Sequence, residues 1–122
     1  MSDLSSVAAQ AKNLGGTSVI LTKVAEGIVV DDLRKIALDL RNRNTDSVVG
    51  LISVCDGKPV LVIAVSDAAR AKGHKAGALV KIGSTVLGGG GGGKDDFAQG
   101  GGTAVSEIDA ALIAIERSLA GK

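Results

Sequence analysis

Six consecutive glycines followed by a lysine are the residues best suited to chemistry in this 122-residue chain. The backbone N–H groups of residues 88–93 carry no obstructing side chains, so they can approach phosphate oxygens closely, and Lys94 adds a positive charge. Gln99 can hydrogen-bond the edge of a base or a ribose. Phe97 can stack on an exposed base, worth about 1–3 kcal/mol, or pack in the core. The segment therefore predicts contact with nucleic acid.

A nucleotide triphosphate site is a poor interpretation of the same residues. Residues 88–94 satisfy the first seven positions of G-x-x-x-x-G-K-[ST], but Asp95 replaces the hydroxyl that would bind magnesium. Asp95 and Asp96 would also place two carboxylates beside the phosphates, and the preceding segment has a helical pattern where a P-loop needs a strand. Two adjacent carboxylates without other ligands make a poor metal site.

A flexible linker is the other simple interpretation of the glycines, nine of which fall in residues 88–102. Serine is scarce there, however, and Phe97 would have nothing to pack against in a linker. Ordering each glycine costs about 0.5–1 kcal/mol relative to alanine. We therefore expect a folded loop in which the backbone closely approaches a ligand or a neighbouring element.

The charge distribution points to an anionic partner. Net charge is +1 overall, but residues 58–94 carry six basic and one acidic side chain, whereas residues 95–122 carry two and five. A positive segment leading into the glycines favours a local anionic partner, and the nearly neutral whole argues against nonspecific wrapping of nucleic acid. A solvated charged face remains the alternative.

Several classes of protein are excluded by composition. Cys55 and His74 are the only residues of their types, so an internal disulfide and a four-ligand zinc site are both impossible. No Ser-His-Asp or Cys-His arrangement surrounds His74, and we predict neither catalytic nor metal-binding residues. The single cysteine and the lack of a long apolar run predict a cytoplasmic chain without membrane contact.

The hydrophobic pattern of the first half predicts a strand, a crossover helix and a hairpin. Residues 3–14 have helical spacing and predict a short helix that begins abruptly, as if cut from something longer. Residues 17–24 are β-branched and predict a strand, and Asp31 or Asp32 caps a helix that ends near Asn42. Residues 47–55 and 59–66 are apolar strands joined by Asp56-Gly57, which favours a type I′ turn.

The second half predicts helices around the glycine segment. Ser66 and Asp67 cap a short turn over 68–71, residues 75–87 form a helix, and Thr103 or Ser106 caps a final helix. The fold class is therefore α/β: a small mixed sheet of three or more strands, flanked by helices, in one domain over 15–122. Its Gly-rich loop lies at 88–102, before the C-terminal helix.

The string GGGGGGKDDFAQGGG closely resembles the C-terminal end of bacterial alanyl-tRNA synthetases, whose last globular domain belongs with the DHH-associated domains. The motif covers about residues 81–103, and 47–81 agree in order and character. Phe97 stands where many members have methionine or another apolar residue, which favours packing over obligatory stacking. DHH-family phosphoesterases, an alternative, use a related segment with histidine, which residues 88–102 lack.

The resemblance implies a piece of a longer, ATP-dependent class II alanine–tRNA ligase that recognises the elbow of alanine tRNA and helps aminoacylation and editing cooperate. ATP, magnesium and zinc would serve other domains, so the resemblance implies no cofactor and no catalysis in this piece. The resemblance also implies that residues 1–14 are the end of a preceding helical linker. Other domains of the synthetase are expected partners, and a homodimer is an expected alternative. A dimerisation or docking module, or the nucleotide-binding subdomain of a phosphoesterase, are alternative functions.

The predicted site residues fall into two groups. The candidate RNA-binding residues are Gly88, Gly89, Gly90, Gly91, Gly92, Gly93, Lys94, Gln99, Lys81, Lys75, Lys72, Arg70 and Lys58. The candidate residues that shape the loop are Asp96, Phe97, Ala98, Gly100, Gly101 and Gly102.

Overall fold

The computed structural model describes residues 12–14, 17–23, 27–43 and 46–120. Its strands are β1 (Lys12–Leu14), β2 (Thr17–Lys23), β3 (Ser47–Cys55), β4 (Lys58–Val65), β5 (Gly91–Gly93) and β6 (Phe97–Gly101). Its helices are α1 (Val30–Asn42), α2 (Asp67–Ala71), α3 (Ala76–Val86) and α4 (Ile108–Ala120). The strands form one six-stranded sheet in the order β1-β2-β3-β4-β6-β5.

The centre of the sheet has the predicted topology. β2 and β3 pair in parallel across the crossover helix α1, and β4 returns antiparallel to β3. Asp56 and Gly57 join β3 to β4 with φ of 54° and 73°, so both central turn residues adopt the positive φ that a type I′ turn requires. The predicted mixed α/β sheet, with its crossover and hairpin, is confirmed.

Helices cover both faces of the sheet, as the continuous apolarity of β3 and β4 requires. On one face, α1 buries Leu33, Ala37 and Leu40 against side chains of β3 and β4. On the other face, α3 and α4 bury Leu79, Val80, Ile108, Ala111 and Ile115. Two apolar clusters therefore stabilise the sheet from opposite sides.

The first strand corrects the helix predicted over residues 3–14. Lys12–Leu14 is an extended edge strand that pairs antiparallel with β2, with Lys12 opposite Val19 and Leu14 opposite Thr17. Pairing with the outer backbone edge of β2 satisfies hydrogen bonds that outweigh weak local helical preference over three residues. The rest of the predicted helix, residues 1–11, lies outside the described residues.

Two predicted helix caps are also wrong. Helix α1 begins after Val29, which makes no side-chain cap, and Asp31 and Asp32 lie in its first turn. A 3₁₀ turn at Val105–Glu107 precedes α4, and its cap residue, Ala104, makes no side-chain cap. The cap at Ser66 is confirmed, because its hydroxyl accepts a hydrogen bond from the N–H of Ala69. Carboxylates in a first turn still stabilise a helix through its dipole.

Candidate nucleic-acid interface

The glycine segment is a β-hairpin rather than the loop predicted over 88–102. Gly91–Gly93 pairs antiparallel with Ala98–Gly100, and β6 pairs in turn with β4. Two backbone hydrogen bonds hold the connecting turn: the N–H of Val65 donates to the carbonyl of Asp96, and the N–H of Ala76 donates to the carbonyl of Asp95. We call β5, β6 and their turn the glycine hairpin. It extends the sheet beyond the strands that α1 covers.

Several glycines in and beside the glycine hairpin are required by packing. A Cβ at Gly91 would lie 2.5 Å from the Cα of Gly100 and 2.7 Å from Val80 of α3. A Cβ at Gly89 would lie 2.1 Å from the carbonyl oxygen of Gly101, and one at Gly102 would lie 2.2 Å from that of Leu87. The hairpin therefore lies so close to α3 and to its own backbone that side chains are excluded.

Gly90 and Gly92 are different, because a Cβ at either position would meet nothing within 4 Å. Side chains alternate between the faces of a strand, so these two positions face away from Gly91 and α3. The packing of the described residues does not explain why they are glycine. An external partner that approaches the backbone closely would explain it.

The outer edge of β5 presents backbone donors. The N–H of Lys94 donates to the carbonyl of Phe97 at 2.9 Å, and the N–H of Gly101 donates to that of Gly90 at 3.3 Å. Because hydrogen-bonded pairs alternate along an antiparallel ladder, Gly91 and Gly93 direct their N–H groups away from β6. β5 is the last strand of the sheet. These N–H groups can therefore meet an external acceptor.

An open groove lies where α1 overhangs the uncovered face of the glycine hairpin. Its volume is about 410 Å³, and it has one wall from the helix and one from the hairpin. We call it the α1–hairpin groove. Its lining residues are Arg34, Leu38, Arg41, Gly92, Gly93, Lys94, Asp96, Phe97, Ala98 and Gln99.

The charges in this groove are mainly positive. Arg34, Arg41 and Lys94 are basic, and Asp96 is the one acidic residue among the lining residues. Arg41 donates from Nε and Nη2 to the amide oxygen of Asn42, at 3.3 Å each. Arg34 lies over the ring of Phe97, with its guanidinium carbon 5.3 Å from the ring centroid. The groove therefore suits an anion that also offers flat or polar groups.

Phe97 is half-buried and packs against the apolar cluster beneath α1. Its neighbour Ala98 is buried in the opposite cluster, against α3 and α4. This alternation also places Gln99 on the groove face, where it is exposed. Phe97 thus combines apolar packing with support of Arg34.

The structure brings only part of the predicted RNA-binding set to the groove. Lys94, Gln99, Gly92 and Gly93 line it, and Lys75 is exposed at the N-cap of α3, beside the hairpin turn. The other predicted basic residues do not line it.

Each of these other residues has a different setting. Lys58 begins β4 and pairs with Cys55, at the opposite end of that strand from the hairpin turn. Arg70 pairs with Asp67 in α2, and Lys81 is exposed on α3. Lys72 forms an ion pair with Asp46 and donates to the hydroxyl of Thr17 at 3.2 Å. Its hydrogen bond holds the pKa of Asp46 below its usual range, and burial opposes that shift.

Sequence analysis missed Arg34 and Arg41. They lie seven residues apart with Leu38 between them, a spacing that places all three on one face of α1. The segment 1–57 has a net charge of −1, so its summed charge gave no indication of the basic surface that these two arginines form. Each arginine directly follows a leucine of the predicted apolar stripe, Leu33 or Leu40. This helical spacing could have identified the two arginines as neighbours on one edge of that stripe.

The DHHA1 domain family matches residues 16–121 of this chain. The chain belongs to the DHHA1 family. The solved C-Ala domain of Aquifex aeolicus alanyl-tRNA synthetase has 32% sequence identity and a TM-score of 0.84, over 91% of this chain and 98% of that one. This DHHA1 domain is therefore of the type found at the C-terminus of alanyl-tRNA synthetases.

Curated relatives agree with this assignment. An alanine–tRNA ligase from Thermobifida fusca is 42% identical over 94% of this chain and 13% of its own length. One from Renibacterium salmoninarum is 47% identical over 91% of this chain and also 13% of its own length. The DHHA1 domain thus spans about an eighth of these relatives. A solved DHH-domain protein, at 16% identity and a TM-score of 0.64, shares the fold alone.

The described part of the DHHA1 domain contains neither a membrane-spanning helix nor a metal-binding cluster. No helix there is long and apolar enough to cross a bilayer. No group of three or more His, Cys, Asp or Glu side chains there is placed to hold a metal ion.

Proposed function

We propose that this DHHA1 domain binds tRNA in the α1–hairpin groove, recognises the elbow where the D and T loops meet, and so helps aminoacylation and editing act on one tRNA. The alanine tRNA and the remaining domains of a parent alanine–tRNA ligase are its partners. The domain itself carries out neither reaction. ATP, magnesium and zinc act elsewhere in the parent.

The observation that carries this proposal is the convergence of three cations with exposed glycine backbone. Arg34 and Arg41 come from one wall of the groove, and Lys94 comes from the other. Phosphate contacts by Arg, Lys and backbone N–H groups position a protein on nucleic acid. Gln99 adds a group that can read a base or ribose edge on the same surface. The synthetase relatives supply the reason to choose tRNA.

The test is a titration of the 122-residue chain with alanine tRNA at several salt concentrations. We expect binding that weakens as salt rises, because phosphate contacts release counterions. Lys94→Ala lowers the slope of log K against log salt by roughly 0.7–0.9, the value of one phosphate contact. Arg117→Ala removes an equal charge from α4 and serves as the matched control. Absence of binding at low salt, or binding without a salt slope, contradicts the proposal.

A docking module is the second candidate, because α4 exposes apolar surface. Ile113 is 50% exposed and shares an open depression with Leu21 and Leu112, edged by Asp109 and Glu116. Close packing alone also explains Gly89, Gly91 and Gly102. Sedimentation separates the candidates: a tight dimer that ignores tRNA favours docking, whereas a tRNA-binding monomer favours the groove.

A further inference from the structure

The two basic side chains of α1 in the groove have different surroundings. The guanidinium of Arg34 lies over the Phe97 ring, and Arg34 is exposed. No carboxylate among the described residues pairs with Arg34, although Arg43 on the same helix pairs with Asp39 at 3.1 Å. Arg34 therefore offers a flat cationic surface that is supported from below by an aromatic ring.

The Phe97 ring lies within cation–π distance of Arg34 and gives its guanidinium a flat aromatic face to pack on. Cations are attracted to the face of an aromatic ring, and arginine is planar, so it stacks where lysine cannot. Phe97 is itself held by the apolar cluster beneath α1. A second flat group can lie on the outward face of the guanidinium and complete a three-layer stack.

The rest of the groove suits the remainder of one nucleotide. Arg41 lies two turns beyond Arg34, roughly 10 Å along the helix axis, where it can hold a phosphate. Gln99 and Lys94 form the facing wall. The volume of about 410 Å³ is within the range of small-ligand sites, about 300–1,000 Å³.

The stacking surface selects unpaired nucleotides. Bases within a helix are already stacked on both faces, whereas bases in loops and bulges can be splayed out and stacked on aromatic rings or arginine planes. Gly92, whose Cβ position is empty, leaves room for a sugar or phosphate on the hairpin side. The surface therefore favours an RNA loop over a duplex.

We propose that the α1–hairpin groove holds one unpaired RNA nucleotide, with its base stacked on Arg34 above Phe97 and its phosphate on Arg41. This inference rests on the proposed function and specifies the part of the RNA that the groove recognises. In this arrangement the two arginines of α1 have different roles. Arg34 acts through its plane, and Arg41 acts through its charge.

The test compares charge-preserving and charge-removing variants of both arginines in tRNA binding. Arg34→Ala and Arg34→Lys both weaken binding about fivefold or more, because stacking of one base is worth about 1–3 kcal/mol. Arg34→Lys keeps the wild-type salt slope. Arg41→Lys binds within about twofold of wild type, whereas Arg41→Ala lowers the salt slope by roughly 0.7–0.9.

Failure of this inference differs from failure of the proposed function. If wild type binds tRNA but Arg34→Lys and Arg34→Ala bind as tightly as the Arg117→Ala control, the stack on Arg34 is wrong and tRNA binding stands. If wild type does not bind tRNA, the proposed function itself is wrong. Circular dichroism of every variant checks that the fold is retained.

A competition experiment tests the preference for unpaired nucleotides. Against labelled tRNA, an RNA hairpin with an open loop competes more strongly than a blunt duplex with the same number of phosphates. Equal competition by the duplex overturns the preference. Competition by free nucleoside monophosphates that matches the hairpin mole for mole assigns the groove to free nucleotides and overturns RNA recognition there.

Discussion

The guanidinium carbon of Arg34 lies 5.3 Å from the centroid of the Phe97 ring, so a residue of the crossover helix is joined to a residue of the glycine hairpin. The two residues lie 63 positions apart in the sequence. Their contact links the two walls of the α1–hairpin groove. Substitution of Phe97 can therefore distinguish its support of Arg34 from its packing in the core.

Phe97→Leu should reduce tRNA affinity several-fold while leaving most of the stability. Leucine preserves apolar packing against the cluster beneath α1, at a cost below about 1.5 kcal/mol. It removes the aromatic face that supports Arg34, an interaction worth about 0.5–1 kcal/mol at exposed sites. Urea unfolding and tRNA titration measure the two effects. Unchanged affinity in a folded variant would show that the ring does not support the site.

Gly91→Ala should reduce stability, whereas Gly92→Ala, at the neighbouring position, should reduce tRNA affinity. The Cβ of alanine at 91 would lie 2.5 Å from the Cα of Gly100, so the hairpin must shift, at about 1–3 kcal/mol. The Cβ at 92 meets nothing within 4 Å, so the free energy of unfolding changes by no more than about 0.5 kcal/mol. Gly92→Ala instead weakens tRNA binding. Equal destabilisation by both variants contradicts the alternation.

The Asp46–Lys72 ion pair should stabilise the domain only above acid pH. The hydrogen bond from Lys72 lowers the pKa of Asp46, so its stabilisation is complete above the unfolded pKa and is lost as pH falls through the lower folded pKa. Lys72→Met therefore costs up to about 1 kcal/mol at pH 7. In acid, as pH falls below the ordinary aspartate pKa of about 3.9, the difference from wild type narrows.

The control for this pair is Lys81→Met, which removes a charge from an exposed position in the middle of α3. Urea unfolding at neutral and acid pH should show little difference between Lys81→Met and wild type. A deficit in Lys72→Met that is as large in acid as at neutral pH would contradict the role of Asp46 ionisation.

Gly57→Ala should destabilise the central hairpin. Gly57 has φ of 73°, and alanine in the left-handed region costs roughly 1–2 kcal/mol. Nothing lies within 4 Å of its Cβ position, so the loss arises from the backbone and not from a clash. Thermal unfolding measures it. A variant as stable as wild type would show that the turn can relax without positive φ.

The strands and turns of the sheet centre could be predicted because local signals agreed with the tertiary fold. β3 and β4 are continuously apolar, and Asp56-Gly57 fits a single type of turn. The edge strands could not be predicted in this way. Lys12–Leu14 follows a helical pattern and is extended because β2 offers a partner.

Only the hairpin wall of the groove could be predicted from the sequence. Lys94, Phe97 and Gln99 are adjacent in the sequence, so their types and spacing identified the hairpin wall. Arg34 and Arg41 belong to a helix more than fifty residues away, and only the order of strands in the sheet brings α1 beside the hairpin. Local charge summation favoured Lys58 and Arg70, which the fold places away from the groove.

The most direct test of the α1–hairpin groove is NMR titration of the ¹⁵N-labelled chain with alanine tRNA. We predict that the largest amide changes fall on Arg34, Arg41, Gly92, Lys94 and Gln99, with Ile113 and Glu116 of α4 nearly unaffected. Changes centred on α4, or none at low salt, would contradict the account.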